Sequence, residues 1–242
     1  MARIDEIAPQ VFRIAVHETR LDMDYCHFLV RDEAPLLFHA GLRSMFSEVR
    51  EAVSTLLDPA TLRFIGFSHF ESDECGALND WLGIAPQAVP LCGLVGALTS
   101  VADFAIRAPH ILAADKTLST GAHSFRFLPT PHLPHGWDAG MLFEETRRTL
   151  FCSDLFSQKG ERTSLIHADL VEQARPNLLR SRSGPFAHST VYSSRTSGML
   201  EELAQLAPRT LATMHGSSFS GDGGQELRSL ATTMTEILGG EA

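Results

Sequence analysis

The stretch SHFESDECG, residues 68–76, follows a short β-rich run, LRFIGF (62–67), and leads into GALNDWL (76–82), which reads as a helix start. His69, Glu71 and Asp73 alternate along it, so an extended segment would place their side chains on one side. Imidazole nitrogens and carboxylate oxygens are natural ligands for borderline and hard divalent cations. The plainer alternative is a solvated acidic loop ahead of a helix, where carboxylates are favoured near the N-terminus. On this stretch alone both readings stand.

Three further stretches bear on the choice: PHLPHGWD (131–138), LFCSDLF (150–156) and LATMHGS (211–217). Each sets a His or Asp at or just past an apolar run, where a loop can present it to a cleft. Asp154 is informative because a carboxylate at a buried strand end is costly without a partner. By contrast His17, His27, His39, His110, His123, His167 and His188 have no partner motif and read as ordinary structural residues.

Outward from these motifs the chain alternates strands and helices. VFRIAV (11–16), DYCHFLV (24–30), PLLFHA (35–40), HSFRFL (123–128), GMLFE (140–144), RTLFC (148–152) and RTLATM (209–214) read as strands. Residues 43–57, 193–206 and 223–238 carry helical spacing. The apolar stretch 88–98 is too short to span a bilayer and reads as a buried core segment. With neither repeat nor low-complexity linker, 242 residues fit one α/β domain, 1–242, with sheets packed between helices. A formal charge of −9 argues against a non-specific nucleic-acid binder, yet carboxylate metal ligands inflate such a count until cations are added. Cys26, Cys75, Cys92 and Cys152 are widely spaced, which implies reduced and mostly buried thiols. The N-terminus lacks an apolar signal core, so the expected setting is cytoplasmic, without membrane contact.

The order strand–His69-x-Glu71-x-Asp73–Gly76–helix, followed by His135, Asp154 and His215 at intervals of 66, 19 and 61 positions, resembles the metallo-β-lactamase superfamily. Within it the pattern is similar to the diiron domain of flavodiiron proteins and the related stand-alone oxygen-binding diiron proteins. The resemblance covers nearly the whole chain and implies an αββα sandwich. It further implies that His69, Glu71 and His135 bind one metal, that Asp73 and His215 bind the other, and that Asp154 bridges the two. His132 competes with His135 within the same loop; the interval to Asp154 favours His135, and His132 is then a hydrogen-bonding neighbour or a plain loop residue. Trp137 and Phe70 are candidates for walling the pocket against water, or for simple packing.

Two positions bear on the metal. Hydrolases of the superfamily usually carry H-x-H-x-D-H, and here Glu71 replaces the second His, which hardens the site and suits iron. Where that pattern has its last His, this chain has Glu74, which stands open as a ligand of the second metal, as a marker of a vacant position there, or as a solvated helix-start residue. The resemblance thus implies two Fe and an O2- or NO-binding protein, either a reductase fed by a separate electron donor or a sensor with a signalling partner. The alternative is two Zn and a hydrolase of a thioester, lactone or phosphoester. With its end at Ala242 and no Gly-rich phosphate loop, the chain is expected to lack the fused flavin domain of its relatives. A homodimer is the commonest assembly to expect.

Overall fold

Alternating side chains at the start of the chain build a sheet with two buried faces. In the computed structural model, which describes residues 1–239, β1 (Arg3–Ala8), β2 (Val11–Glu18), β3 (Met23–Val30), β4 (Leu36–Phe38), β5 (Phe64–Gly66), β6 (Val89–Cys92) and β7 (His110–Ile111) lie side by side in chain order. The first four pair antiparallel and the rest parallel. The second sheet draws on β8 (Leu118–Ser119), β9 (Ser124–Pro129), β10 (Gly140–Glu144), β11 (Thr149–Phe151), β12 (Leu165–Ile166), β13 (Thr210–Ala212) and β14 (Ser218–Ser220). Its order is β12-β14-β13-β11-β10-β9-β8.

The period of two sorts side chains between the layers. On β2, Val11 and Ala15 face the second sheet, while Phe12, Ile14 and Val16 face outward to helices. Between the sheets Phe28 and Phe38 meet Phe151, with ring centroids 5.5 and 5.2 Å away. Each fully buried ring of this kind contributes about 1.5–3 kcal/mol by leaving water. The outer face of the first sheet packs on the helices Phe46–Ser54 and Leu78–Ile84 through Val49, Val53, Leu78, Trp81 and Leu82. The second sheet packs on Leu170–Arg180, Thr196–Gln205 and Gly223–Leu238. The layers therefore run helix, sheet, sheet, helix, the αββα sandwich expected.

Several details differ from the sequence reading. The helix Leu170–Arg180 was not anticipated because Pro176 sits inside it, and an internal proline removes a backbone donor. The apolar stretch 88–98 is buried through β6 and at Gly96 and Ala97, but Leu94, Val95 and Leu98 lie on the surface, the last 70% exposed. All four cysteines are free and buried, as expected. Residues 240–242 of the expected domain lie outside the described residues. No helix among the described residues is long and apolar enough to cross a membrane.

Candidate metal centre

The loops that leave β5, β9, β11 and β13 meet at one edge of the sandwich. Backbone hydrogen bonds fix them there: Gly140 N donates to Ser68 O, Cys152 N to Ala212 O and Met214 N to Ser153 O, at 3.1, 2.8 and 3.0 Å. Phe70 N donates to Asp138 Oδ2 at 2.9 Å, tying the first loop to the stretch after Gly136. Gly216, beside His215, has φ +120°, and a Cβ there would stand 2.7 Å from Gln158, so the tight turn requires glycine.

These loops bring all six sequence candidates together. His69 Nε2, His135 Nε2 and Glu71 Oε2 form a triangle with edges of 2.9, 2.8 and 3.0 Å. Asp154 Oδ2 lies 3.7 Å from His69 Nε2 and 3.4 Å from His135 Nε2. Its other oxygen, Oδ1, lies 3.1 Å from His215 Nε2, which is also 3.3 Å from Asp73 Oδ2. Two ligand groups result, His69–Glu71–His135–Asp154 and Asp73–Asp154–His215, and Asp154 is common to both. His132 lies on the surface and joins neither group. Asp73 is not on an extended segment with the other two: Glu71 caps the short helix Ser72–Cys75, and its first turn swings Asp73 towards His215.

The donor set fits a pair of cations. Ligands about 2.1 Å from one ion and at right angles to each other stand about 3 Å apart, which matches the triangle. Two bare imidazole nitrogens facing each other at 2.9 Å present two lone pairs and no donor, so a cation or a proton belongs between them. Asp154 Oδ1 is buried, and its neighbour His215 Nε2, 3.1 Å away, is not aligned as a geometric hydrogen bond to it, so the oxygen is an acceptor that a cation would satisfy. Without cations the cluster holds protons instead. Burial opposes charge on His69, but Glu74, Glu71 and Asp154 outweigh it and push its pKa up to about 10. His215 is likewise raised well above its ordinary value, with Asp154 and Asp73 overcoming burial. His135 is raised by Glu71 and Asp154 against burial. Hydrogen bonds from His135 and His69 hold Glu71 far below the usual carboxylate range.

Sequence reasoning missed the residues behind this cluster. His215 Nδ1 faces the backbone carbonyl of Asp24 at 3.0 Å. The Asp24 carboxylate is buried and held by Arg3 at 2.6 Å and Arg13 at 3.3 Å, while Arg13 also donates to Gly216 O. The Tyr25 ring meets His215 edge-on with centroids 4.9 Å apart; burial and Asp73 push its pKa up to about 12, so it stays a neutral donor. Glu74 contradicts both sequence expectations of a metal ligand and a solvated residue. It is 0% exposed and absent from both ligand groups. Its carboxylate accepts from Ser68 N, Ser68 Oγ and Ser153 Oγ, and although burial opposes its charge, His39 and His69 hold it below the usual range. The only signal in the sequence was the acid that follows Asp73.

A cavity of about 540 Å³ opens over the cluster. Tyr25, Glu71, Asp73, His135, Asp154 and His215 line it, together with Lys159, Arg180 and Phe186. Neither Trp137, 63% exposed, nor Phe70 lines it; of the two alternatives simple packing holds for Phe70, whose ring meets Phe67 and Phe104.

Residues 23–216, most of the chain and all six candidates, match the family described as "ODP family beta lactamase". The chain belongs to the ODP family beta lactamases. Solved structures agree on the fold of this ODP family member. The flavodiiron protein from Giardia intestinalis superposes with a TM-score of 0.78 at 18% identity, over 97% of this chain and 58% of that one. A flavoprotein from Thermotoga maritima gives 0.79 at 18%, over 96% and 61%. Among curated sequences, "Putative diflavin flavoprotein A 1" of Nostoc sp. PCC 7120 is 24% identical over 200 residues, 79% of this chain. The ODP family chain spans about a third of the length of that relative, 33%. The chain thus shares its fold with these flavodiiron relatives along nearly its whole length.

Proposed function

We propose that this chain is a non-haem diiron protein that binds O2 or NO. In this reading His69, Glu71 and His135 hold one iron, Asp73 and His215 the other, and Asp154 bridges them. One observation carries it: the two oxygens of Asp154 face separate ligand groups, and Glu71 occupies the position where hydrolases of the superfamily place a His. Held by these residues as a ferrous pair, two irons would supply electrons to a small oxidant. The chain's own residues hold the pair and set its charge. Glu71, Asp73 and Asp154 bring three negative charges against four positive ones, and such near-neutralisation favours oxidised iron over a set of neutral imidazoles. Tyr25, neutral and lining the cavity, offers an O–H to a ligand there. A separate electron donor or signalling partner, a cytoplasmic setting and a homodimer belong to the same proposal.

The cavity favours a second reading. A volume of about 540 Å³ far exceeds a diatomic gas and falls in the range of organic-ligand pockets, about 300–1,000 Å³. With Lys159 and Arg180 along its wall it suits an anionic thioester, lactone or phosphoester and a dizinc hydrolase. The test is metal analysis of protein purified without air, with absorption spectra before and after O2 or NO, for wild type and Glu71→His. We expect iron at two per chain, a spectral response to gas, and a shift towards zinc with weakened response in Glu71→His. Zinc-loaded wild type that is spectrally silent to both gases and hydrolyses thioesters or lactones establishes the hydrolase instead.

A further inference from the structure

The acid that departs from the H-x-H-x-D-H pattern has a different task from the His it replaces. We infer that Glu74, acting through the hydroxyls of Ser68 and Ser153, is a positioning residue that fixes His69 with its Nε2 bare towards the metal position and makes that position the tighter of the two. The inference rests on the dinuclear-metal reading above.

The hydrogen-bond ledger leaves little freedom. Glu74 Oε1 is 2.5 Å from Ser68 Oγ and 2.7 Å from Ser153 Oγ. An ionised carboxylate only accepts, so each serine spends its single hydroxyl proton on Glu74. The same two serine oxygens stand 3.5 and 3.4 Å from His69 Nδ1 and have only lone pairs left to offer it. Glu74 Oε1 itself lies 3.4 Å from that nitrogen. Three acceptors therefore surround Nδ1, which selects, in the neutral ring that ligates a metal, the tautomer with its proton there and the lone pair on Nε2. That lone pair points to the triangle with His135 and Glu71.

Glu74 is itself locked. Its Oε2 takes the Ser68 N–H at 2.7 Å and faces His39 Nε2 at 3.4 Å. Its backbone carbonyl accepts from Ala40 N at 2.7 Å. His39 and Ser153 both sit at positive φ, +66° and +50°, conformations that cost energy and persist only where the surroundings impose them. Ser68 follows β5 and Ser153 follows β11, so one carboxylate registers a loop from each sheet. Ser153 is also the residue before Asp154.

The second position has no such backing. His215 Nδ1 faces a neutral carbonyl, that of Asp24. An anion behind a ligating imidazole raises its basicity more than a carbonyl does, and such outer partners are typically worth 10- to 100-fold in metal affinity. Glu74 thus adds to the asymmetry already present between the two ligand groups.

Stepwise titration of metal-free wild type, Glu74→Gln and Ser153→Ala with Co(II), followed by calorimetry and by visible absorption of the two bound ions, tests this. Wild type should bind two ions with separable affinities. Glu74→Gln, which keeps the shape and loses the charge, should weaken the tighter step about 10- to 100-fold once the protons released on binding are accounted for, and leave the weaker step unchanged. Ser153→Ala should shift the same step by less. In iron-loaded protein the potential of the tighter site should rise in Glu74→Gln, a change that loss of packing alone would not confine to one site. Equal weakening of both steps, or a Glu74→Gln titration identical to wild type, overturns the inference. If Glu74→Gln does not fold, Ser68→Ala and Ser153→Ala decide by the same one-site criterion. Failure of wild type to bind two ions overturns the dinuclear reading instead.

Discussion

At neutral pH a cation entering the metal-free protein competes with protons for the same nitrogens. His69 carries a pKa of about 10 there, because Glu74, Glu71 and Asp154 together outweigh its burial. Ligation requires its Nε2 bare, so loading at pH 7 displaces a proton held roughly 3 pH units above ambient, about 4 kcal/mol at 1.36 kcal/mol per unit. His69 is only 3% exposed, so solvent screening takes little from that figure. Apparent metal affinity should rise about a thousandfold between pH 7 and 10 from His69 alone. His135 and His215, raised for the same reason, add to the slope. The same shift acts on stability with a definite sign. The folded value lies above the unfolded one of about 6.5, so the contribution of His69 to the metal-free fold is complete below that pH and is lost as pH rises through about 10. The melting temperature of metal-free protein should fall across this window, and the gap to the zinc-loaded form should widen. Chelator competition for zinc at several pH values, with calorimetry in buffers of different ionisation enthalpy, measures both slope and proton release. Affinity that does not change with pH, or loading at pH 7 without net proton release, refutes the reasoning.

Asp154→Ala removes the carboxylate common to both groups, and metal content should drop to one ion per chain or none by elemental analysis; two tightly held ions in that variant show that Asp154 does not bridge. His135→Ala should lose metal from the His69 group. His132→Ala, at an exposed position, should keep two metals and change stability by less than about 0.5 kcal/mol in denaturant titration; the reverse pattern reassigns the loop.

Much of the arrangement was legible in the sequence because its signals are local. The helix Gly223–Leu238 spans the very residues that carry helical spacing, and β10 coincides with GMLFE. The convergence of the six candidates was legible only through family intervals, since no local pattern tells that Asp154 and His215 share a cleft. Glu74 shows where such reading stops. Its partners lie six residues back at Ser68 and 79 residues on at Ser153, and composition alone gives no hint of that distant hydroxyl. The helix Leu170–Arg180 was hidden for the opposite reason, a strong local signal from Pro176 that tertiary packing overrides. Asp73 reaches the other candidates by a different geometry from the extended one expected, because alternation in sequence does not survive the helical turn at Ser72–Cys75.

The two sheets use separate parts of the chain, residues 3–111 and 118–220, and the six donors divide evenly between them. His69, Glu71 and Asp73 come with the first sheet; His135, Asp154 and His215 come with the second. An unfolded or half-formed chain therefore offers a cation at most one short acidic cluster, and the full set exists only after the two halves have closed on each other. On the dinuclear reading proposed above, occupancy by two ions would then serve as a proofreading mark for assembly. A chain whose second half had docked out of register would carry an incomplete clasp, and a chelator should strip it faster than the finished sandwich.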